Sequence, residues 1–114
     1  MWPTKTSRRL QVTVIGTGYV GSVTGACLSY LGYHVTCVDS DPAKVAQWRS
    51  GEPAIYEPFL KDLIGTARRQ GNIEFTTDLA GPVRASDVIF IAGARHRCRT
   101  ARRILAISRR PRAE

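Results

Sequence analysis

At 114 residues the chain has room for one domain and a modest core. Its net charge of +8 suggests a polyanion partner until the charge is located: residues 1–91 hold 9 Lys and Arg against 8 Asp and Glu, whereas residues 92–114 hold 8 Arg against one Glu. The basicity therefore belongs to the tail and not to the fold, and no apolar run approaches the roughly 20 residues that a membrane span needs.

Residues 1–9, MWPTKTSRR, are polar and basic and read as a frayed terminus. They hold no apolar signal segment, so the expected location is cytoplasmic. The first element is a strand over residues 11–15, QVTVI, β-branched and apolar in the manner of a buried parallel strand. Gly16, Gly18 and Gly21 then form GxGxxG as the chain leaves it. Gly16 allows a tight turn, Gly18 lets backbone approach a pyrophosphate, and Gly21 permits close helix packing. A helix is expected over residues 19–31, with its positive end at the phosphate site and Gly32 as its stop. A second strand over residues 34–38 ends at Asp39, about 20 residues beyond the glycines, where a carboxylate accepts from ribose hydroxyls. Ser40 and Asp41 follow, with no Arg for a 2′-phosphate, which favours NAD over NADP. An ordinary glycine-rich strand–helix turn is the alternative reading.

Asp41 and Pro42 read as cap and first residue of a helix running to Arg49. Lys44 lies within reach of Asp39 or the ribose, or is a solvated surface lysine. Residues 52–58, EPAIYEP, form a proline-fixed loop in which Tyr56 and Glu57 either serve the site or pack the loop. A helix over residues 59–70 shows helical apolar spacing. A short strand is expected over 73–76, then a short helix within 77–86 capped by Thr77 or Asp78, then an apolar strand over 87–91. Right-handed crossovers turn this order into an α/β fold: a partial Rossmann-like parallel sheet of about four strands, order 3-2-1-4. The last strand should be an uncovered apolar edge. Of the three cysteines, Cys27 and Cys37 read as reduced, buried thiols, and Cys98 leaves the count odd.

VIGTGYVG, VTCVDSDPAKV, GEPAIYEPFL, FTTDL and ASDVIFIA occur here in unbroken order over residues 10–92. This stretch resembles the NAD-binding domain of the UDP-glucose/GDP-mannose dehydrogenase family. The wording around Ile55, Tyr56, Glu57 and Pro58 fits the UDP-glucose branch better than the GDP-mannose branch. The resemblance implies NAD as cofactor, with Tyr19 and Val20 presenting backbone at the pyrophosphate, Asp39 at the adenosine ribose and Lys44 near it. It implies, for a full-length parent, oxidation of a nucleotide-sugar alcohol such as UDP-glucose to a carboxylate. The family's catalytic cysteine and lysine have no counterpart here, so no catalytic residue and no metal ligand is assigned. Oligomeric state does not carry over.

The family pattern would continue beyond residue 92 with G-T-P and later A-D-L-S-Y. The chain instead reads AGARHRCRTARRILAISRRPRAE. Taking the third base of each codon with the first two of the next, and choosing third bases freely, the shifted frame from Gly93 can spell GTPPLPDGAADLSYISAAAR. The expectation is therefore a truncated NAD-binding domain over residues 10–91 followed by a frameshifted, disordered or irregular Arg-rich tail over 92–114. A stand-alone NAD-binding module explains only the motif. A nucleic-acid arm built on Arg95, Arg97, Arg99, Arg102 and Arg103 explains only the tail, and it lacks aromatic interleaving or a binding module, so no specific nucleic-acid partner is expected.

Overall fold

The computed structural model describes residues 10–51 and 58–92 and, beyond them, Arg102, Ala106 and Ile107. Its elements run β1 (Gln11–Ile15), α1 (Tyr19–Tyr30), β2 (His34–Val38), α2 (Pro42–Arg49), α3 (Pro58–Arg69), β3 (Ile73–Thr76), α4 (Ala80–Ala85) and β4 (Val88–Ile91). All strand pairings are parallel, in the order β3-β2-β1-β4. The expected order is thus the observed one, and element bounds differ by a residue or two.

The register explains the core. Val12 aligns with Val35 and Val88, Val14 with Cys37 and Phe90, Val35 with Ile73, and Cys37 with Phe75. Alternate residues share a face, so β1, β2 and β3 present Val12, Val14, Val35, Cys37, Ile73 and Phe75 together. Ala26 of α1, Val45 and Trp48 of α2, and Leu60, Ile64 and Ala67 of α3 close over them in one buried cluster. The α3 residues recur at helical spacing. Trp48 lies flat on Phe75, with ring centroids 5.3 Å apart and planes 4° from parallel.

α1 approaches the sheet by a different route. Its buried residues are Gly21, Ser22, Gly25, Ala26 and Ser29, all small. A Cβ on Gly25 would lie 2.8 Å from the Cys37 sulfur, so the helix is seated as close to β2 as a side-chain-free position allows. Cys27 falls on the outer side of this helix and is exposed, while Cys37 is buried. The expectation of two buried thiols therefore holds for Cys37 only, because the inward face of α1 is taken by its small residues.

The opposite face of the sheet carries a smaller cluster of Val38, Leu79 and Val83, against which Ile15, Ile89 and Ile107 pack. Thr13, fully buried there, hydrogen-bonds through its hydroxyl to that of Ser86 and donates to the Pro82 carbonyl at 3.3 Å. The cap of α4 is Leu79, not Thr77 or Asp78. The Thr76 hydroxyl accepts from the Asp78 amide at 3.1 Å, which draws those residues into a turn ahead of the helix. Arg102, Ala106 and Ile107 are helical and not irregular, and the expectation of disorder for the rest of the tail falls outside the described residues. Among the described residues β4 pairs with β1 alone, and Val88 and Phe90 stand 37% and 41% exposed, as expected of an apolar edge. No helix among the described residues is long and apolar enough to cross a membrane.

Candidate functional site

The glycine turn sits at the carboxyl end of β1, beside the point where the sheet order switches from β2 on one side to β4 on the other. Open crevices in doubly wound sheets form at such switch points. Gly16 has φ of +97°, a left-handed backbone that favours glycine. Its amide donates to the Val38 carbonyl at 2.8 Å, tying the turn to the end of β2. At Gly21 a Cβ would lie 1.8 Å from the Gly16 carbonyl oxygen and 3.2 Å from the Ala92 Cβ, so α1 can begin here only on glycine. Gly18 is the reverse: a Cβ there would meet nothing within 4 Å. The three glycines thus differ in their surroundings: Gly16 adopts a left-handed turn, Gly21 is in close contact, and Gly18 lies beside open space.

Gly18 is also the N-cap of α1, in extended backbone, and no side chain caps the helix. Its first turn contains no acid, so α1 carries no carboxylate of its own at its positive end. Tyr19 and Val20 flank this start, 56% and 64% exposed. Ser22 turns its hydroxyl back to the Gly18 carbonyl at 2.8 Å and braces the turn.

Asp39 follows the last residue of β2, with its amide held by the Thr76 carbonyl at 3.1 Å. Its Oδ2 accepts from the Thr17 amide at 2.9 Å and from the Thr17 hydroxyl at 2.6 Å. Its Oδ1 accepts from the Asp41 amide at 3.0 Å. Lys44 Nζ lies 3.8 Å from Oδ2. Burial alone would push this carboxyl up. The Thr17 hydroxyl, the Asp41 and Thr17 amides and the Lys44 charge outweigh it and hold the group below the ordinary carboxylate value, ionised at neutral pH.

All seven residues expected at the site, Gly16, Gly18, Tyr19, Val20, Gly21, Asp39 and Lys44, therefore lie around one turn and the end of the neighbouring strand. Tyr56 and Glu57 fall outside the described residues. Thr17 was not anticipated, and the only sequence signal for it is a hydroxyl between two motif glycines. Gly25 was also missed, being outside GxGxxG. Burial raises the Cys37 thiol to about 12, which leaves it protonated at neutral pH. Among the described residues no group of three His, Cys, Asp or Glu could hold a metal ion.

Comparison with known proteins gives one consistent result. Residues 10–94 match the family described as "UDP-glucose/GDP-mannose dehydrogenase family, NAD binding domain". The chain is 43% identical over 83 residues to the UDP-glucose 6-dehydrogenase of Rhizobium meliloti, covering 73% of this chain and 19% of that protein. It is 45% identical over 83 residues to one from Bacillus subtilis, again covering 73% of this chain and 19% of the relative. Among solved structures, a ternary complex of GDP-mannose dehydrogenase from Pseudomonas aeruginosa superposes with a TM-score of 0.72 at 36% identity, over 75% of this chain and 20% of that one. A UDP-glucose dehydrogenase from Pyrobaculum islandicum does so with a TM-score of 0.72 at 36% identity, over 77% and 20%. The chain thus spans about a fifth of the length of these relatives.

Proposed function

Because the chain belongs to the UDP-glucose/GDP-mannose dehydrogenase family through its NAD-binding domain, we propose that residues 10–91 form the adenosine and pyrophosphate half of an NAD site. Gly16, Gly18 and Gly21, with the backbone of Tyr19 and Val20, receive the pyrophosphate. Asp39 accepts from the adenosine ribose, and Lys44 balances the charge beside it. The observation that carries this reading is the uncapped start of α1 under open space at Gly18, one strand away from an anchored carboxylate. An anion at a helix start meets backbone donors and the positive end of the dipole together.

NAD, when bound, supplies the hydride acceptor. This chain's residues bind and orient it, and none of them is assigned as the nucleophile or base of a sugar oxidation. The parent activity is oxidation of UDP-glucose to UDP-glucuronate with two NAD, and the reading favours this branch over GDP-mannose on the Ile55, Tyr56, Glu57, Pro58 segment. The chain alone is expected to bind NAD weakly and to turn over no UDP-glucose. Titration of the purified chain with NAD tests the first expectation, and an NADH absorbance assay tests the second. Absence of NAD binding at millimolar concentration would refute the site assignment.

We propose further that the stretch from residue 92 onward is read in a shifted frame. The family match ends at residue 94, close to Gly93, from which the shifted frame can spell GTP and, further on, ADLSY. Sequencing the gene through and beyond the Ala92 codon decides it. A second frame that continues the family pattern is expected, and its absence would return the Arg-rich tail to consideration as a selected element.

A further inference from the structure

We propose that Thr17 is a positioning residue that fixes the Asp39 carboxylate for the ribose hydroxyls and thereby sets the preference for NAD over NADP. The inference rests on the NAD reading of the same site. Thr17 is fully buried, so its hydroxyl has no solvent to bond. It lies 2.6 Å from Asp39 Oδ2, and an ionised carboxylate only accepts, so the hydroxyl is the donor. The Thr17 amide donates to the same oxygen at 2.9 Å. Oδ2 is thus committed to Thr17 with Lys44 close by, while Oδ1 holds the Asp41 amide and keeps lone-pair capacity for a ribose donor.

Two consequences follow from this geometry. First, Thr17 lies between Gly16 and Gly18, so its bonds join the phosphate turn to the ribose acid, and the two subsites are held in one arrangement before a ligand arrives. Preorganisation of this kind lowers the ordering cost of binding. Second, a carboxylate held on both oxygens cannot turn away from a 2′-phosphate. Its charge then repels NADP, which is discrimination by an unfavourable contact with the wrong ligand.

The test compares Thr17→Val, which removes the hydroxyl at nearly constant volume, with Thr17→Ser, which keeps it. NAD and NADP affinities are measured on the full chain by titration. Thr17→Val is expected to weaken NAD binding roughly ten- to hundredfold, the range for losing one hydrogen bond to a charged group. NADP binding should change less, so the NAD/NADP ratio falls, and Thr17→Ser should restore it. An unchanged ratio in folded Thr17→Val would overturn the proposal. Should Thr17→Val not fold, NMR of the wild-type chain without ligand carries the test. The Thr17 amide proton must follow the titration of the Asp39 carboxyl, and an amide that ignores it would overturn the proposal equally. A wild-type chain that shows this linkage yet binds no NAD would instead remove the NAD assignment and leave the Thr17–Asp39 coupling standing.

Discussion

α1 and α2 both begin just past the carboxyl end of a strand, yet they begin on opposite terms. α2 closes its own start: Asp41 accepts from the Ala43 amide at 3.0 Å, and Pro42 at the first position removes a donor that would need a partner. α1 starts on Gly18 without a side-chain cap and without an acid in its first turn. A side-chain cap is worth about 1 kcal/mol to a helix, and α1 forgoes it. What holds α1 instead is close packing, with Gly21 against the Gly16 carbonyl and Gly25 against the Cys37 sulfur. A helix secured along its length can leave its end open, and the open end is the one beside the switch point of the sheet. The two starts are also coupled, since the Asp41 amide donates to Asp39, whose other oxygen is held by Thr17 from the α1 side.

The contrast can be broken from either side. The largest effect is expected for Gly21→Ala, where the new Cβ would lie 1.8 Å from a backbone oxygen and force α1 off the turn. A loss of about 3 kcal/mol or more is expected from overpacking of this kind, read by denaturant unfolding followed through the buried Trp48. Gly18→Ala should separate function from stability. Its Cβ has clear space, so unfolding should move by no more than about 0.5 kcal/mol, while NAD binding weakens roughly tenfold or more, about 1.4 kcal/mol, because the methyl occupies that space. Equal losses in both measurements would contradict the assignment of that space to the ligand. Asp41→Ala should cost α2 about 1 kcal/mol and leave NAD affinity nearly unchanged, since the contact to Asp39 is made by backbone. The smallest effect is in pH. The folded Asp39 carboxyl is held below its ordinary value, so its contribution to stability is complete above about pH 4 and is lost as pH falls through the folded value. Asp39→Asn should flatten that part of the acid limb of the stability curve.

The strands were legible because short runs rich in β-branched and apolar residues stand out between turn signals, as β1, β2 and β4 do. Their order followed from right-handed crossovers taken together with the doubly wound strand arrangement. α1 was legible as a helix but not in its orientation. Ser22, Gly25 and Ser29 face the sheet, and small residues leave no hydrophobic stripe, so Cys27 looked as inward as Cys37. Within the site, Asp39 was found by its distance from the glycines and its place at a strand end. Thr17 was not, because its part depends on the turn folding back to a side chain 22 positions later, and nothing in the local sequence marks that approach. The start of α4 was misplaced for a local reason. Two capping residues stood in a row, and the hydroxyl of the residue before them took the amide that would have begun the helix.

The register of β4 has a consequence in time. Strand β1 takes one neighbour, β2, after a single intervening helix, but its other neighbour is recruited from far along the chain. The Gln11 amide and the Asp87 carboxylate that meet at the start of this pairing are 76 positions apart. Closing so long a segment loses more chain entropy than closing the β1–β2 unit, and non-local pairings of this sort slow folding. During synthesis β1, α1 and β2 can assemble while β4 is still being made. The glycine turn and Asp39 are therefore synthesised well before Ala92, whose Cβ closes on Gly21.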